Sequence, residues 1–224
     1  VIRWLEPGDP PEAFPAVTQA LGEPNGLLCA GGDLSPERIL AAYRRGIFPW
    51  YAEGQPILWW SPDPRMVLFP EELRVTRSLR KSLRNRGYRV TWDTCFEDVI
   101  AYCADSGTRA SDGTWISPEM RAAYVELHRL GHAHSVEVRL GERLVGGLYG
   151  LELGRVFFGE SMFTHETDAS KVALHWLCTA LRTRNAELID CQVTSAHLSS
   201  LGARPIPRAE FIARLAGNPQ PGTE

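Results

Sequence analysis

HSVEVRLGERLVGGLYGLELGRVFFGESMFTHETDASKVALHWLCTALRTRNAELIDCQV, residues 134–193, carries the pattern that decides the fold. His134–Leu140 alternates through Ser-Val-Glu-Val-Arg, the period of two expected of a half-buried strand. Gly141-Glu142 marks a turn, Leu144–Leu153 a second strand, Gly154 another turn and Arg155–Phe163 a third strand. A helix is then predicted from Asp168 as N-cap, with Val172, Ala173, Trp176, Leu177, Ala180 and Leu181 as its apolar stripe. Arg182 and Arg184 suit its C-terminal end. ELIDCQV (187–193) reads as a strand, AHLSSLG (196–202) as a short helix, and Arg208–Leu215 as a last helix. Three meandering strands, a helix, a strand and a helix make an α/β (α+β) mixed sheet.

Working outward, composition changes near residue 70. Eleven of the 16 prolines and four of the seven tryptophans lie at or before Pro70, which predicts a compact, loop-rich unit. Its clear helix would be capped by Asp33 or Ser35, with Pro36 in the first turn and ILAAYRR running to Gly46. The expected division is a small domain over 1–64, a mixed-sheet domain over 65–216 and a flexible tail over 217–224. At 224 residues with 44% hydrophobic and 23% charged residues, the chain is an ordinary globular mixture. No apolar run approaches the ~18 residues of a membrane span, and VIRWLEPGDPPEAF has no signal-peptide core. Cys29, Cys95, Cys103, Cys178 and Cys191 are odd in number, widely spaced and without C-x-x-C, so a cytoplasmic location in a reducing cytosol is expected. A monomer is expected as well.

Charge is unevenly placed. Residues 74–89, RVTRSLRKSLRNRGYR, hold seven basic residues and no acid within a chain of net charge −3. Leu79 and Leu83 fall on one helical face, so the cations project elsewhere. A solvated helix face and a phosphate-binding surface both fit; an acid-free run in an acidic protein points to the second.

Several chemistries are unsupported. The chain has no G-x-x-x-x-G-K-S/T, G-x-G-x-x-G or G-x-S-x-G, which removes the usual signals of P-loop, dinucleotide and α/β-hydrolase chemistry. His128 and His132 have i,i+4 spacing, but Arg129 stands where a zincin needs Glu; His132 and His134 read as hydrogen-bonded structural groups, and no metal is expected. What remains is polar side chains in apolar strands. In 187–193 the strand period puts Asp190 and Gln192 on one face and Ile189, Cys191 and Val193 on the other. The pair is either a strand-end tie for a loop or a carboxylate that receives a cationic amine beside an amide. Glu160, in VFFGESMF, is a salt-bridged structural group or a site residue, and Gly159 lets a ligand approach closely. Trp50, Trp59, Trp60 and Trp115 default to packing, although Trp50 follows Pro49 in a polar neighbourhood where an indole could stack on a base.

Taken together, EPNGLLCAGGDLSPERILAAYRRGIFPWY, LWWSPDPRMVLFPEEL, GTWIS, GHAHSVEV, LVGGLYG, FFGESMF, ASKVAL, LIDCQV and SLGARPIPR run in order from about residue 23 to 208. They resemble the leucyl/phenylalanyl-tRNA–protein transferase family. The resemblance implies a bacterial cytosolic enzyme of the N-degron pathway, with an N-acetyltransferase-like (GNAT) second domain. Its donors would be Leu-tRNA and Phe-tRNA, and its acceptors proteins beginning with Arg or Lys. It also implies roles: Asp190 and Gln192 as the catalytic pair, and Glu160 as holder of the acceptor's basic residue. Leu148, Phe157 and Met162 would line the aminoacyl pocket, and Trp50 and Trp115 would bracket the terminal adenosine. Arg77, Arg80, Lys81 and Arg84 would contact the acceptor stem. Leu148 stands where a Met can occur, the loop at 103–113 is variable, and Asp168 replaces the more usual Asn; as an equally good cap, Asp168 should change little.

The chemistry is consistent with that assignment. An aminoacyl ester is already activated, so an enzyme need only position an amine, remove its proton and steady the oxyanion. An α-amine of pKa ~7.7–8.0 is partly neutral near pH 7, so a modest base suffices. Asp190 could serve as that base, directly or through Gln192 or water; alternatively it only binds, and the tRNA ribose hydroxyl shuttles the proton. No cofactor is expected, because Thr167-Asp168-Ala169-Ser170-Lys171 lacks the Gly-rich pyrophosphate loop of an acetyl-CoA enzyme. The competing readings are an acetyl-CoA-dependent N-acetyltransferase and a non-catalytic tRNA-binding module.

Overall fold

The computed structural model describes residues 2–106 and 116–217. Strand β1 (Arg3–Leu5) leads to β2 (Leu27–Gly31), helix α1 (Pro36–Arg44), β3 (Phe48–Pro49) and β4 (Leu58–Trp60). Then come β5 (Arg65–Leu68), α2 (Arg77–Asn85), β6 (Arg89–Trp92), α3 (Phe96–Ser106) and α4 (Pro118–Arg129). β7 (Ala133–Leu140), β8 (Arg143–Leu153) and β9 (Val156–Thr164) form the meander, followed by α5 (Ala169–Thr183) and β10 (Leu188–Gln192). α6 (Ala196–Ser200), β11 (Arg204–Ile206) and α7 (Arg208–Ala216) complete the described chain.

The fold is mixed α/β. A four-stranded sheet has the order β1-β2-β4-β3, and a seven-stranded sheet the order β11-β5-β10-β9-β8-β7-β6. The meander and the α5–β10 unit lie where the periodicity puts them, within a residue or two. α1 is capped as expected: Ser35 Oγ accepts from Arg38 N–H at 3.4 Å, and Pro36 occupies the first turn.

Two apolar layers flank the large sheet. One gathers Tyr43, Phe96, Tyr124, Tyr149, Phe158 and Phe211 with Leu5, Phe14 and Trp59, so a single core spans the small sheet and the near face of the large one. The other packs α5 through Val172, Ala173 and Leu177 on Val136, Leu148, Phe157 and Ile189. α2 joins this second layer through buried Leu79, while Arg77, Arg80, Lys81 and Arg84 are exposed.

The start of α5 departs from expectation. Asp168 occupies the N-cap position, but in the left-handed region (φ 62°), and its side chain makes no cap hydrogen bond. Its carboxylate turns to α2 and Lys171 instead. The described cysteines are all free thiols, and no helix of the described residues is long and apolar enough to cross a membrane. His134 Nδ1 pairs with Asp93 Oδ2 at 2.6 Å and His128 Nδ1 with the Ala133 carbonyl at 2.8 Å, so both rings are engaged within the fold.

Candidate active site

The site is an opening between two neighbouring strands. β9 and β10 pair in parallel from Leu188–Val156 to Asp190–Phe158. Beyond that point each carries one extra residue. The β8–β9 register passes from Tyr149–Ser161 to Gly150–Gly159, which leaves Glu160 as the bulged residue. The β10–β5 register passes from Asp190–Val67 to Gln192–Met66, leaving Cys191 unopposed. A bulge re-aims side chains and ends pairing, and two side by side hold the strands apart. Gly150 permits the first: a Cβ there would lie 2.1 Å from the Phe158 carbonyl oxygen.

The resulting cavity measures about 410 Å³. Leu148, Phe157, Met162, Leu174, Leu177 and Ile189 form its apolar wall, from β8, β9, α5 and β10. Glu160, Gln192, Ser195, His197 and Trp50 supply its polar and aromatic surface. Trp50 is 43% exposed, its ring is 5.6 Å from that of Trp60, and its carbonyl accepts from Trp60 Nε1 at 2.6 Å.

Glu160 has no cationic partner among the described residues. Tyr43 OH donates to Oε1 at 2.7 Å, Gln192 Nε2 to Oε1 at 3.0 Å, and Tyr124 OH to Oε2 at 3.1 Å. The two phenol oxygens are themselves 2.6 Å apart. Two hydroxyl protons cannot fill all three contacts, whereas a proton on Glu160 would complete the ring. Consistently, burial pushes the Glu160 carboxyl up to about 7, against the lowering pull of Tyr43 and Gln192. Of the two readings the sequence left for Glu160, the structural one required a salt bridge, and the described residues supply none.

Asp190 and Gln192 do not lie side by side on one face. The bulge at Cys191 breaks the alternation, and Gln192 sits at φ 64°, a conformation that costs a non-glycine residue about 1 kcal/mol or more. Asp190 is fully buried. Arg65 Nε donates to Oδ1 at 2.8 Å and Nη2 to Oδ2 at 2.6 Å, while Nη1 reaches the Gly46 carbonyl at 3.1 Å. The guanidinium is sandwiched between Phe48 and Phe211, 4.7 Å from each ring centroid. Asp190 Oδ1 also accepts the Gln192 backbone N–H at 3.0 Å. The carboxylate thus fixes the turn that carries the amide, and the amide reaches Glu160.

Arg65, Tyr43 and Tyr124 escaped the sequence reading. The available signal was weak: an arginine opening the apolar run RMVLF, and a tyrosine on the buried face of each of α1 and α4.

The family model described as leucyl/phenylalanyl-tRNA protein transferase matches residues 67–216, and that of the same family's N-terminal domain matches residues 32–63. The chain belongs to the leucyl/phenylalanyl-tRNA protein transferase family. The leucyl/phenylalanyl-tRNA–protein transferase of Aromatoleum aromaticum is 59% identical over 224 residues, 99% of this chain and 93% of its own length. That of an Azoarcus species is 60% identical over 215 residues, 96% of this chain and 90% of its own. Among solved structures, a GCN5-related N-acetyltransferase from Kribbella flavida aligns at TM-score 0.42 and 13% identity, over 74% of this chain and 59% of that one, a distant likeness from which no function follows.

As a leucyl/phenylalanyl-tRNA protein transferase, the chain is an aminoacyltransferase with aminoacyl-tRNA donors and protein acceptors. Of the residues the family resemblance singled out, Leu148, Phe157, Met162, Glu160, Gln192 and Trp50 converge on the cavity, and Asp190 stands behind it. Arg77, Arg80, Lys81 and Arg84 lie apart on α2, and no carboxylate of the described residues pairs with them. Trp115 lies outside the described residues.

Proposed function

We propose that this chain transfers Leu or Phe from its tRNA to the α-amine of proteins beginning with Arg or Lys, as a monomer in the cytoplasm, marking them for the N-degron pathway. The observation that carries this reading is the pairing, in one cavity, of an apolar wall with a carboxylate that has no cationic partner among the described residues. The wall of Leu148, Phe157 and Met162 suits the donor's side chain. Glu160 suits the acceptor's basic side chain, whose charge would take the place of the proton that the tyrosine ring favours. Trp50 offers an indole face to the terminal adenosine. The exposed cations of α2 suit the phosphates of the acceptor stem.

In the reaction the neutral amine attacks the ester carbonyl; the new C–N bond forms and the C–O bond to the ribose breaks. The amine proton passes to the departing ribose oxygen, directly or through water. Gln192 holds the reacting groups by its amide, and Asp190, its oxygens occupied by Arg65 and the Gln192 N–H, keeps that amide in place. Positioning of this kind supplies much of the barrier reduction for an activated ester.

The test is transfer of labelled Leu from Leu-tRNA to peptides beginning with Arg, Lys, Glu or N-acetyl-Arg. Product on the first two alone is expected. Equal product on the Glu peptide would remove Glu160 from acceptor recognition, and no product on any would remove the activity.

A further inference from the structure

α2, the helix with the exposed cations, is tethered to the helix that walls the aminoacyl cavity through one carboxylate. Ser82 Oγ donates to Asp168 Oδ2 at 2.9 Å and Ser78 Oγ to the same oxygen at 3.4 Å. Ser78 and Ser82 are one turn apart, so both face α5 while Arg77, Arg80, Lys81 and Arg84 project to solvent. Lys171, in the first turn of α5, donates to Asp168 Oδ1 at 2.9 Å. One residue earlier, the Thr167 carbonyl accepts from Tyr88 OH at 2.8 Å, which ties down the far end of the α2 segment. The Asp168 side chain is only 7% exposed, and its backbone is left-handed. An N-cap that forgoes its cap bond and takes an unfavourable backbone conformation to reach another helix is acting between elements. α5 continues from this junction to Leu174 and Leu177 in the cavity wall.

We propose that Asp168 is a positioning residue for the donor: it sets the angle and distance of the cationic face of α2 relative to the aminoacyl cavity, so that a tRNA held by its phosphates presents its ester between β9 and β10. The proposal rests on the reading of α2 as the phosphate-binding face. A carboxylate in this place does not touch the RNA, because the serines and Lys171 occupy both of its oxygens. Its effect falls on how well a long donor spans the two sites. A short donor that occupies the cavity alone does not use it.

Three variants test this. Asp168→Gly keeps the left-handed backbone and removes the carboxylate. Asp168→Asn keeps an acceptor oxygen for Ser82 and tolerates the left-handed conformation. Arg80→Ala/Arg84→Ala alters the α2 face directly. Each is assayed with full-length Leu-tRNA and with a 3′-leucyl-adenosine donor that cannot reach α2. Asp168→Gly should raise KM for Leu-tRNA about tenfold, the loss expected of its two serine hydrogen bonds together, with kcat nearly unchanged. It should leave the rate with leucyl-adenosine at the wild-type level, and Asp168→Asn should restore most of the affinity. If Arg80→Ala/Arg84→Ala leaves KM for Leu-tRNA unchanged, the reading of α2 falls. If that variant raises KM and Asp168→Gly does not, the positioning role falls alone. Equal loss with both donors in Asp168→Gly would place its effect within the aminoacyl cavity and overturn the proposal.

Discussion

Replacing Asp190 by Asn changes little in volume but leaves the Arg65 guanidinium fully buried between two phenylalanine rings, facing a neutral amide with one acceptor oxygen and the Gly46 carbonyl in place of a carboxylate. Removing one member of a buried ion pair costs about 3–5 kcal/mol, because the remaining charge is left uncompensated. For a chain of this size about 2–4 °C of melting temperature goes with each kcal/mol, so a fall of roughly 6–20 °C is expected. Urea unfolding measures the free energy, and thermal unfolding checks the midpoint. The double variant Arg65→Met/Asp190→Leu removes both charges and should recover most of the stability, since apolar replacements of buried pairs are often neutral or better. It should not recover transfer, because a leucine at 190 offers the Gln192 N–H no acceptor. The contrary result is an Asp190→Asn variant that unfolds within about 1 kcal/mol of wild type while losing turnover. That outcome would make Asp190 a proton acceptor rather than an anchored ion.

Four further outcomes follow from the same geometry. Glu160 has its carboxyl raised from an ordinary 4.5 to about 7, so the folded chain binds its proton more tightly than the unfolded chain. Its contribution to stability is complete below about pH 4.5 and is lost as pH rises through about 7; Glu160→Gln should remove that slope in urea titrations at pH 4.5–7.5. The KM for an Arg-initiated peptide should fall as pH rises from 6 to 8 in wild type, and the Glu160→Gln variant should bind the peptide weakly with that part of the dependence gone. Leu148→Ala enlarges the aminoacyl wall and should shift the Phe-to-Leu ratio of kcat/KM toward Phe by about tenfold, the value of one to two methylenes in an apolar pocket, read by competition between the two charged tRNAs. Gly150→Ala should lower stability by about 3 kcal/mol, because its Cβ would meet the Phe158 carbonyl at 2.1 Å, and circular dichroism melts would show it.

The meander and the α5–β10 unit were legible because their periodicity is strong and their turns carry Gly141 and Gly154, both at positive φ. β5, β6 and β11 were not, for they are three or four residues long and cannot display a period. α3 and α4 were also missed, although Phe96, Val99, Ile100 and Cys103, and Met120, Ala123, Tyr124 and Leu127, carry the i, i+3, i+4, i+7 spacing of a buried helix face. At the site, Glu160 was visible as an acid in an apolar strand. Its true setting was not, since the bulge that re-aims it depends on how two strands register. The same holds for Asp190 and Gln192. A strict period of two put them together, whereas one extra residue sends the carboxylate to Arg65 and the amide to Glu160. Arg65 lies 125 positions from its partner, and no local pattern links them.

The proposed function has the ester and the amine meet in the opening between β9 and β10, held by Gln192. It is tested most directly by single-turnover transfer from Leu-tRNA to an Arg-initiated peptide, with both substrates saturating, in wild type and Gln192→Leu. The variant keeps side-chain bulk and loses the amide that bonds Glu160. Gln192→Leu should fold with wild-type stability to within about 1–2 kcal/mol and lose about a hundredfold or more in the transfer rate, as removal of one positioning donor does. A stably folded Gln192→Leu that transfers leucine at the wild-type rate would contradict the account.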